Sequence, residues 1–221
     1  MKKIMTVLFS AIFAAGIFAG CSGGTKNDAD NTTDNGMGQT ENTQGMMSAS
    51  YADMMKTGKY LMHYKTTVTS ENQNVTSDVT QAIDGANMSM TTNTGEMAIR
   101  MIKKDKTVYV LNDEAKTYYK IAMGDTNASG TTASIDDQVI DTTGITYAGK
   151  GRAELNGKEM DYEEYLTDQG TVRYYFDGGK LYAIVFKSAD MESVMEIIEL
   201  SDKVTADMFE IPKGYTESTT Y

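Results

Sequence analysis

Hydrophobic and polar positions fall into three regimes along this chain. Residues 8–21 are almost all apolar, residues 22–50 are mostly small and polar, and from Tyr60 onward apolar and polar residues alternate. Period-two alternation marks a strand with one buried face. In the first such segment Tyr60, Met62, Tyr64, Thr66 and Val68 alternate with Leu61, His63, Lys65 and Thr67. Segments 73–83, 87–92, 96–103, 106–111 and 116–123 continue the pattern, separated by Asp84-Gly85, Asn93-Thr94-Gly95, Lys104-Asp105 and Asn112-Asp113-Glu114. After a Gly-, Ser-, Thr- and Asp-rich interruption over 124–144, strands are predicted at 146–155, 158–167, 171–176 and 180–187. Asn156-Gly157, Asp168-Gln169-Gly170 and Asp177-Gly178-Gly179 join them with hairpin chemistry. Segment 192–201 mixes Val194, Ile197 and Ile198 with Glu and is read as a further strand.

No helix-length segment separates these strands, so parallel βαβ units are excluded and an antiparallel meander is implied. Helical pattern is confined to two places. Residues 50–58 begin with a capping Ser, place apolar residues three and four apart, and end on Gly58. Residues 134–140 are a second short candidate started by Ser134. Open sheets of about ten strands usually curl or split. The predicted fold is therefore mainly β (α+β). It is a strongly curved antiparallel sheet forming an unclosed half-barrel, with one or two short helices and the loop near Asp136 against its concave face.

The apolar regime follows Lys2 and Lys3 and ends Ile17-Phe18-Ala19-Gly20-Cys21. A basic start, a short apolar run and small residues at a cleavage point make a secretory signal rather than a membrane span. The chain's single cysteine directly after Ala19-Gly20 resembles the lipobox of bacterial lipoproteins. That resemblance implies that Cys21 receives a diacylglyceryl group and becomes the mature N-terminus. Removing 20 residues, with two lysines and no acid among them, leaves 201 residues and moves the formal charge from −11 to −13. This length suits one domain. Three regions are thus expected: a signal peptide over 1–20, a disordered polar tether over 21–49, and a half-barrel domain over 50–217.

Charge and chemistry narrow the functional classes. An acidic balance of this size argues against nucleic acid, whose affinity rests on Lys and Arg neutralising phosphates. It also argues against electrostatic attachment to anionic lipid. Attachment then falls to acyl chains, at about 0.8 kcal/mol per buried CH₂, and more than one chain is needed for stable anchoring. With the thiol consumed by lipid, the mature domain has no disulfide and no cysteine nucleophile or ligand. The tether, too polar to offset its chain entropy, gives an r.m.s. reach of roughly 30 Å for about 28 residues. Met37, Met46 and Met47 are read as part of this spacer.

Candidate chemistry is thin. His63, the single histidine, has no second His or Cys beside it for a metal and no recognisable Ser–His–Asp spacing. Asp136, Asp137 and Asp141 lack the Asp-x-Asp-x-Asp-Gly order of a calcium loop. Glu159, Asp161, Glu163 and Glu164, near Tyr162 and Tyr165, invite a paired-carboxylate glycosidase but read more simply as a solvated strand face. No enzyme activity, metal or cofactor is expected. Methionine is different. Met97, Ile99 and Met101 share one strand face, and Met88, Met90, Tyr60, Met62 and Tyr64 extend the same surface. Met-rich surfaces accept varied apolar partners, so these eight residues are the candidate ligand-binding set. The other reading makes them a core filled beneath a helix.

The run Asp207-Met208-Phe209-Glu210-Ile211-Pro212-Lys213-Gly214-Tyr215 resembles an ending common among lipoproteins of the LolA-like superfamily. The resemblance extends to the plan of lipobox, tether, initial helix and strand meander. It implies an unclosed β-barrel with helices over an apolar cavity, in proteins that carry lipidated proteins or glycolipids. Read from its residues alone, the ending is a final edge strand with Phe209 and Ile211 inward, stopped by Pro212. The expectation is a monomeric, lipid-anchored, extracytoplasmic protein of the cell envelope, on the cell membrane or outer membrane. Its ligand is expected to be a lipid or lipidated protein. The alternative is an envelope interaction or structural module whose core is filled by its own side chains.

Overall fold

The computed structural model describes residues 46–70, 73–122 and 145–218. Cys21, the tether before Met46, the helix predicted at 134–140 and the acidic loop with Asp136, Asp137 and Asp141 lie outside the described residues.

Twelve strands form one sheet. In chain order they are β1 (Lys59–Ser70), β2 (Gln73–Asp84), β3 (Asn87–Thr94), β4 (Met97–Lys104), β5 (Thr107–Asn112) and β6 (Thr117–Ala122). Then come β7 (Thr146–Leu155), β8 (Lys158–Leu166), β9 (Thr171–Asp177), β10 (Lys180–Lys187), β11 (Met191–Ser201) and β12 (Thr216–Glu217). Their spatial order is β12-β6-β5-β4-β3-β2-β1-β11-β10-β9-β8-β7. Two meanders, β1 to β6 and β7 to β11, meet where β1 pairs with β11. The ends do not pair with each other, so the sheet is an unclosed half-barrel, as the strand pattern predicts. The two-residue turns match the expected chemistry: φ is positive at both Gly178 and Gly179, which only a mirror-image turn with glycine-like residues satisfies easily.

One helix among the described residues, α1 (Ala49–Lys56), lies on the inner face. Its Ala52 and Met55 share a core with Tyr60, Met62 and Tyr64 of β1, Tyr174 and Phe176 of β9, and Ile184 of β10. Met62 and Tyr64 retain 1% exposure each. Burying a side chain of that size contributes about 1.5–3 kcal/mol, so this half of the inner face is the molecule's main anchor. Met46 and Met47 also pack against it. Their place in a free spacer is therefore corrected: the apolar face beside them gives these two thioethers somewhere to bury.

A second correction concerns the C-terminal ending. Ala206–Phe209 is a 3₁₀ turn, not a strand. Phe209 leaves the sheet plane to fill a cluster on the outer face with Ala82, Ile102, Leu111 and Val204. Lys104 holds the turn from β4 through Glu210 at 2.6 Å. Only after Pro212 and Gly214 (φ 89°) does the chain resume pairing, as the two-residue β12. It runs parallel to β6, in a sheet whose other pairs are antiparallel. The outer face under this segment is covered, where simple alternation predicts solvent.

Candidate functional site

The eight residues singled out by methionine spacing do share one face. Register carries the inner side from Tyr60, Met62 and Tyr64 across Ile83, Gln81 and Val79 of β2 to Met88, Met90 and Thr92 of β3. From there it passes to Lys103, Met101 and Ile99 of β4, with Met97 opposite Thr94. The face is not uniform. Tyr60, Met62, Tyr64 and Met90 keep 5% exposure or less in the core shared with α1. Met88, Ile99 and Met101 are half-buried, and Met97 is 45% exposed. So α1 fills one half of the trough, and the β3–β4 half presents apolar side chains to the open.

The polar groups on this face are graded as well. Towards the far ends of β1 and β2 the Ser77 and Thr94 hydroxyls stand 2.6 Å apart, and the Thr66 and Ser193 hydroxyls 3.4 Å apart. Thr92 Oγ1 is buried with no hydrogen-bond partner among the described residues. Burial pushes the Tyr60 phenol up to about 12. Tyr64 is raised further still, by burial first and by its neighbour Tyr60 second. Both are therefore neutral hydroxyls at physiological pH. Met, Ile and Thr side chains and these neutral phenols make much of the face apolar, and Gln81 and Lys103 also stand on it.

Two residues with positional roles escape the sequence reading. Glu163, expected on a solvated face, is 1% exposed and points inward. Its carboxylate accepts the Met47 N–H at 2.6 Å and the Ser48 N–H at 3.0 Å. The reason is local: α1 has no acidic residue in its first turn and Ser48 makes no side-chain cap, so the helix N-terminus takes its anion from β8. That missing acid is the signal by which the sequence pointed to an external cap. Glu159 and Asp161 are exposed, both within 3.5 Å of Arg152. His63 lies on the outer side of β1 with Nε2 3.0 Å from Asp78. No cluster of metal-binding side chains occurs among the described residues.

The second residue is Tyr51. Its hydroxyl accepts the Leu181 N–H at 2.8 Å, and its ring stands 6.2 Å from that of Phe176. Beside it a groove of about 580 Å³ opens between β10 and β11, and none of the eight residues lines it.

In sequence, no family model and no curated protein matches the chain. Among solved structures, the chain is similar to an uncharacterised conserved protein of Thermus thermophilus. That match has a TM-score of 0.42 and 7% identity, and covers 76% of this chain and 98% of the other. It is similar to the lipoprotein LppX of Mycobacterium tuberculosis, with a TM-score of 0.40 and 13% identity over 70% of this chain and 93% of the other. It is also similar to a LolA superfamily protein of Nitrosomonas europaea, with a TM-score of 0.38 and 8% identity over 70% and 94%.

Proposed function

We propose that this chain is a non-enzymatic, lipid-anchored protein of the cell envelope, facing away from the cytoplasm and holding a hydrophobic ligand against the β3–β4 half of its inner face. The ligand is an acyl chain, borne by a lipid or by a lipidated protein. The observation that carries this reading is the gradient across the trough. Met88, Met97, Ile99 and Met101 stay half-buried or exposed, while the same face under α1 is closed. Flexible thioethers suit a chain of methylenes without demanding one shape. Cys21 supplies the anchor through the apolar leader before it, and residues 21–45 space the domain from the membrane.

A second reading is favoured by the other half. Tyr60, Met62, Tyr64 and Met90 are filled in by α1, which fits an interaction module that takes no ligand. Native mass spectrometry of the full chain, extracted from a bacterial envelope in mild detergent, separates the two. A carrier shows adducts of lipid mass and takes up a fluorescent acyl probe. Met97→Asp with Ile99→Asp removes both at an unchanged thermal midpoint. A ligand-free mass with no probe uptake sinks the carrier reading.

A further inference from the structure

Thr92 stands on the inner face of β3, opposite Val79 of β2 and Ile99 of β4. It is 4% exposed, and its Oγ1 has no hydrogen-bond partner among the described residues. A buried hydroxyl left unpaired costs stability, and valine has nearly the same shape without that cost. Its neighbours offer it nothing polar. Val79 and Met90 are buried and apolar. The Gln81 amide, diagonal to it, turns towards Met88, with Nε2 3.7 Å from the thioether sulfur. The hydroxyls of Ser77 and Thr94, next along this face, are already paired at 2.6 Å.

An orphaned donor of this kind selects its occupant. A buried water holds its place through about three hydrogen bonds, and here it would meet one hydroxyl. A carbonyl oxygen needs a single donor, which Thr92 supplies. The side chains on either side of Thr92 differ in the way such a ligand differs about its carbonyl. In one direction along β3 and β4 come Met90, Met101 and Met88, which suit methylenes. In the other come the Ser77–Thr94 hydroxyl pair and Met97, which is 45% exposed and open to a polar group. A carboxylate fits badly, because a buried charge needs a partner. Lys103 stands opposite Met88, four residues along β3 or roughly 13 Å at about 3.3 Å per residue. Ile99 and the diagonal Met97 and Met101 are half-buried or exposed, so the hydroxyl is reached by moving side chains and not backbone.

We propose that Thr92 is the polar subsite of this face and donates a hydrogen bond to the carbonyl of an ester- or amide-linked acyl group. The methylenes run from there over Met101 and Met88, and the linked group leaves past Thr94 and Met97. This rests on the carrier reading and narrows it. The ligand is a neutral acyl ester or amide, of a lipid or a lipidated protein, and not a free fatty acid.

The test is displacement of a fluorescent acyl probe from the full chain carrying Cys21→Ser, which bears no acyl chain of its own. The competitors are monododecanoylglycerol, N-dodecanoylcysteine amide, the dodecyl ether of glycerol, and dodecanoate. The ether differs from the glycerol ester by the carbonyl alone. The ester is expected to bind about tenfold more tightly than the ether, the effect of one hydrogen bond to an otherwise unpaired carbonyl. In Thr92→Val the two should bind equally, at a thermal midpoint unchanged or raised, and Thr92→Ser should restore the preference. Whichever of the glycerol ester and the acylated cysteine binds more tightly names the source, and weakening of either by Thr92→Val supports the subsite. Equal binding of ester and ether by the parent overturns the proposal, as does a preference that survives in Thr92→Val. Tightest binding by dodecanoate also overturns it, since that moves the head group to Lys103. No uptake of the probe by the parent sinks the carrier reading itself, and the subsite falls with it.

Discussion

The Glu163 carboxylate accepts the Met47 N–H at 2.6 Å across 116 residues of sequence. With the Ser48 N–H at 3.0 Å, it binds the start of α1 to β8. A buried carboxylate is tolerated here because helix-terminal N–H groups and the helix dipole stabilise its charge. The Tyr165 hydroxyl, 2.8 Å from Ser48 Oγ, completes the junction. The helix that closes half the trough is therefore fixed at its start by two side chains of β8.

Glu163→Ala leaves two N–H groups of that junction without their acceptor. The expected loss is about 2–4 kcal/mol, since hydrogen bonds to charged groups are worth about 1.5–3 kcal/mol and orphaned buried donors add their own cost. Glu163→Gln retains one carbonyl acceptor and should lose about half as much. Urea unfolding measures both. Amide exchange in 47–52 should accelerate before the strands are affected, and an unchanged urea midpoint for Glu163→Ala would refute the junction.

Gly170→Ala tests a close approach rather than a bond. A Cβ at Gly170 would lie 2.2 Å from the Lys187 carbonyl oxygen. That oxygen belongs to backbone paired in β10, with Lys187 opposite Thr171. Relief therefore requires shifting the β9–β10 pair, at about 1–3 kcal/mol. A thermal midpoint within a degree of the parent would show that the turn gives way freely. Gly85→Ala, where nothing lies within 4 Å but φ is 60°, should cost less and serves as the comparison.

The strand meander was legible because alternation and turn residues are local signals. Asn156-Gly157 and Gly178-Gly179 sit at the tips of hairpins, as their types require. The common face of Met62, Met90 and Met101 was legible for the same reason, since period two places residues on faces. What spacing does not carry is which part of a face is covered. Met90 and Met97 share that face, yet 5% and 45% exposure separate them, because Met90 packs in the core that also holds α1 and Met97 lies outside it. Phe209 shows the same limit. Its alternation with Ile211 fits a strand, but the apolar cluster around Ile102 on the outer face takes it in from a 3₁₀ turn. Glu163 and Tyr165 alternate like any half-exposed pair, and only the docking of a helix from 115 residues away turns that carboxylate inward. Two bulges, between Leu181 and Ala183 and at Ile198, leave no mark in the hydrophobic pattern.

Cys21→Ser tests the anchor. The apolar run before Cys21 ends on Ala19-Gly20, and an acylated cysteine holds a protein to a bilayer through more than one chain. The parent should sediment with membranes and carry the added mass of a diacylglyceryl group. The serine variant should carry no lipid mass, and its cleaved form should appear in the soluble extracytoplasmic fraction. Equal membrane retention of cleaved parent and variant would remove Cys21 from the account.

Tyr60 and Tyr64 give the trough an alkaline limit. In the unfolded chain a tyrosine ionises near pH 10. In the folded chain burial raises Tyr60 to about 12 and takes Tyr64 higher. Below pH 10 both states hold the proton and stability does not depend on these groups. Between pH 10 and 12 the unfolded chain releases protons that the native chain keeps. Stability then falls as pH rises, by about 1.4 kcal/mol per pH unit for each tyrosine. Phenolate absorbance should therefore rise in two stages, the exposed tyrosines first and the buried pair together with loss of the fold. Tyr64→Phe removes one of the two ionisations, so its urea midpoint should fall less steeply over the same pH range. Parallel slopes for parent and variant would show that the Tyr64 phenol is open to solvent, and with it the half of the trough that α1 closes.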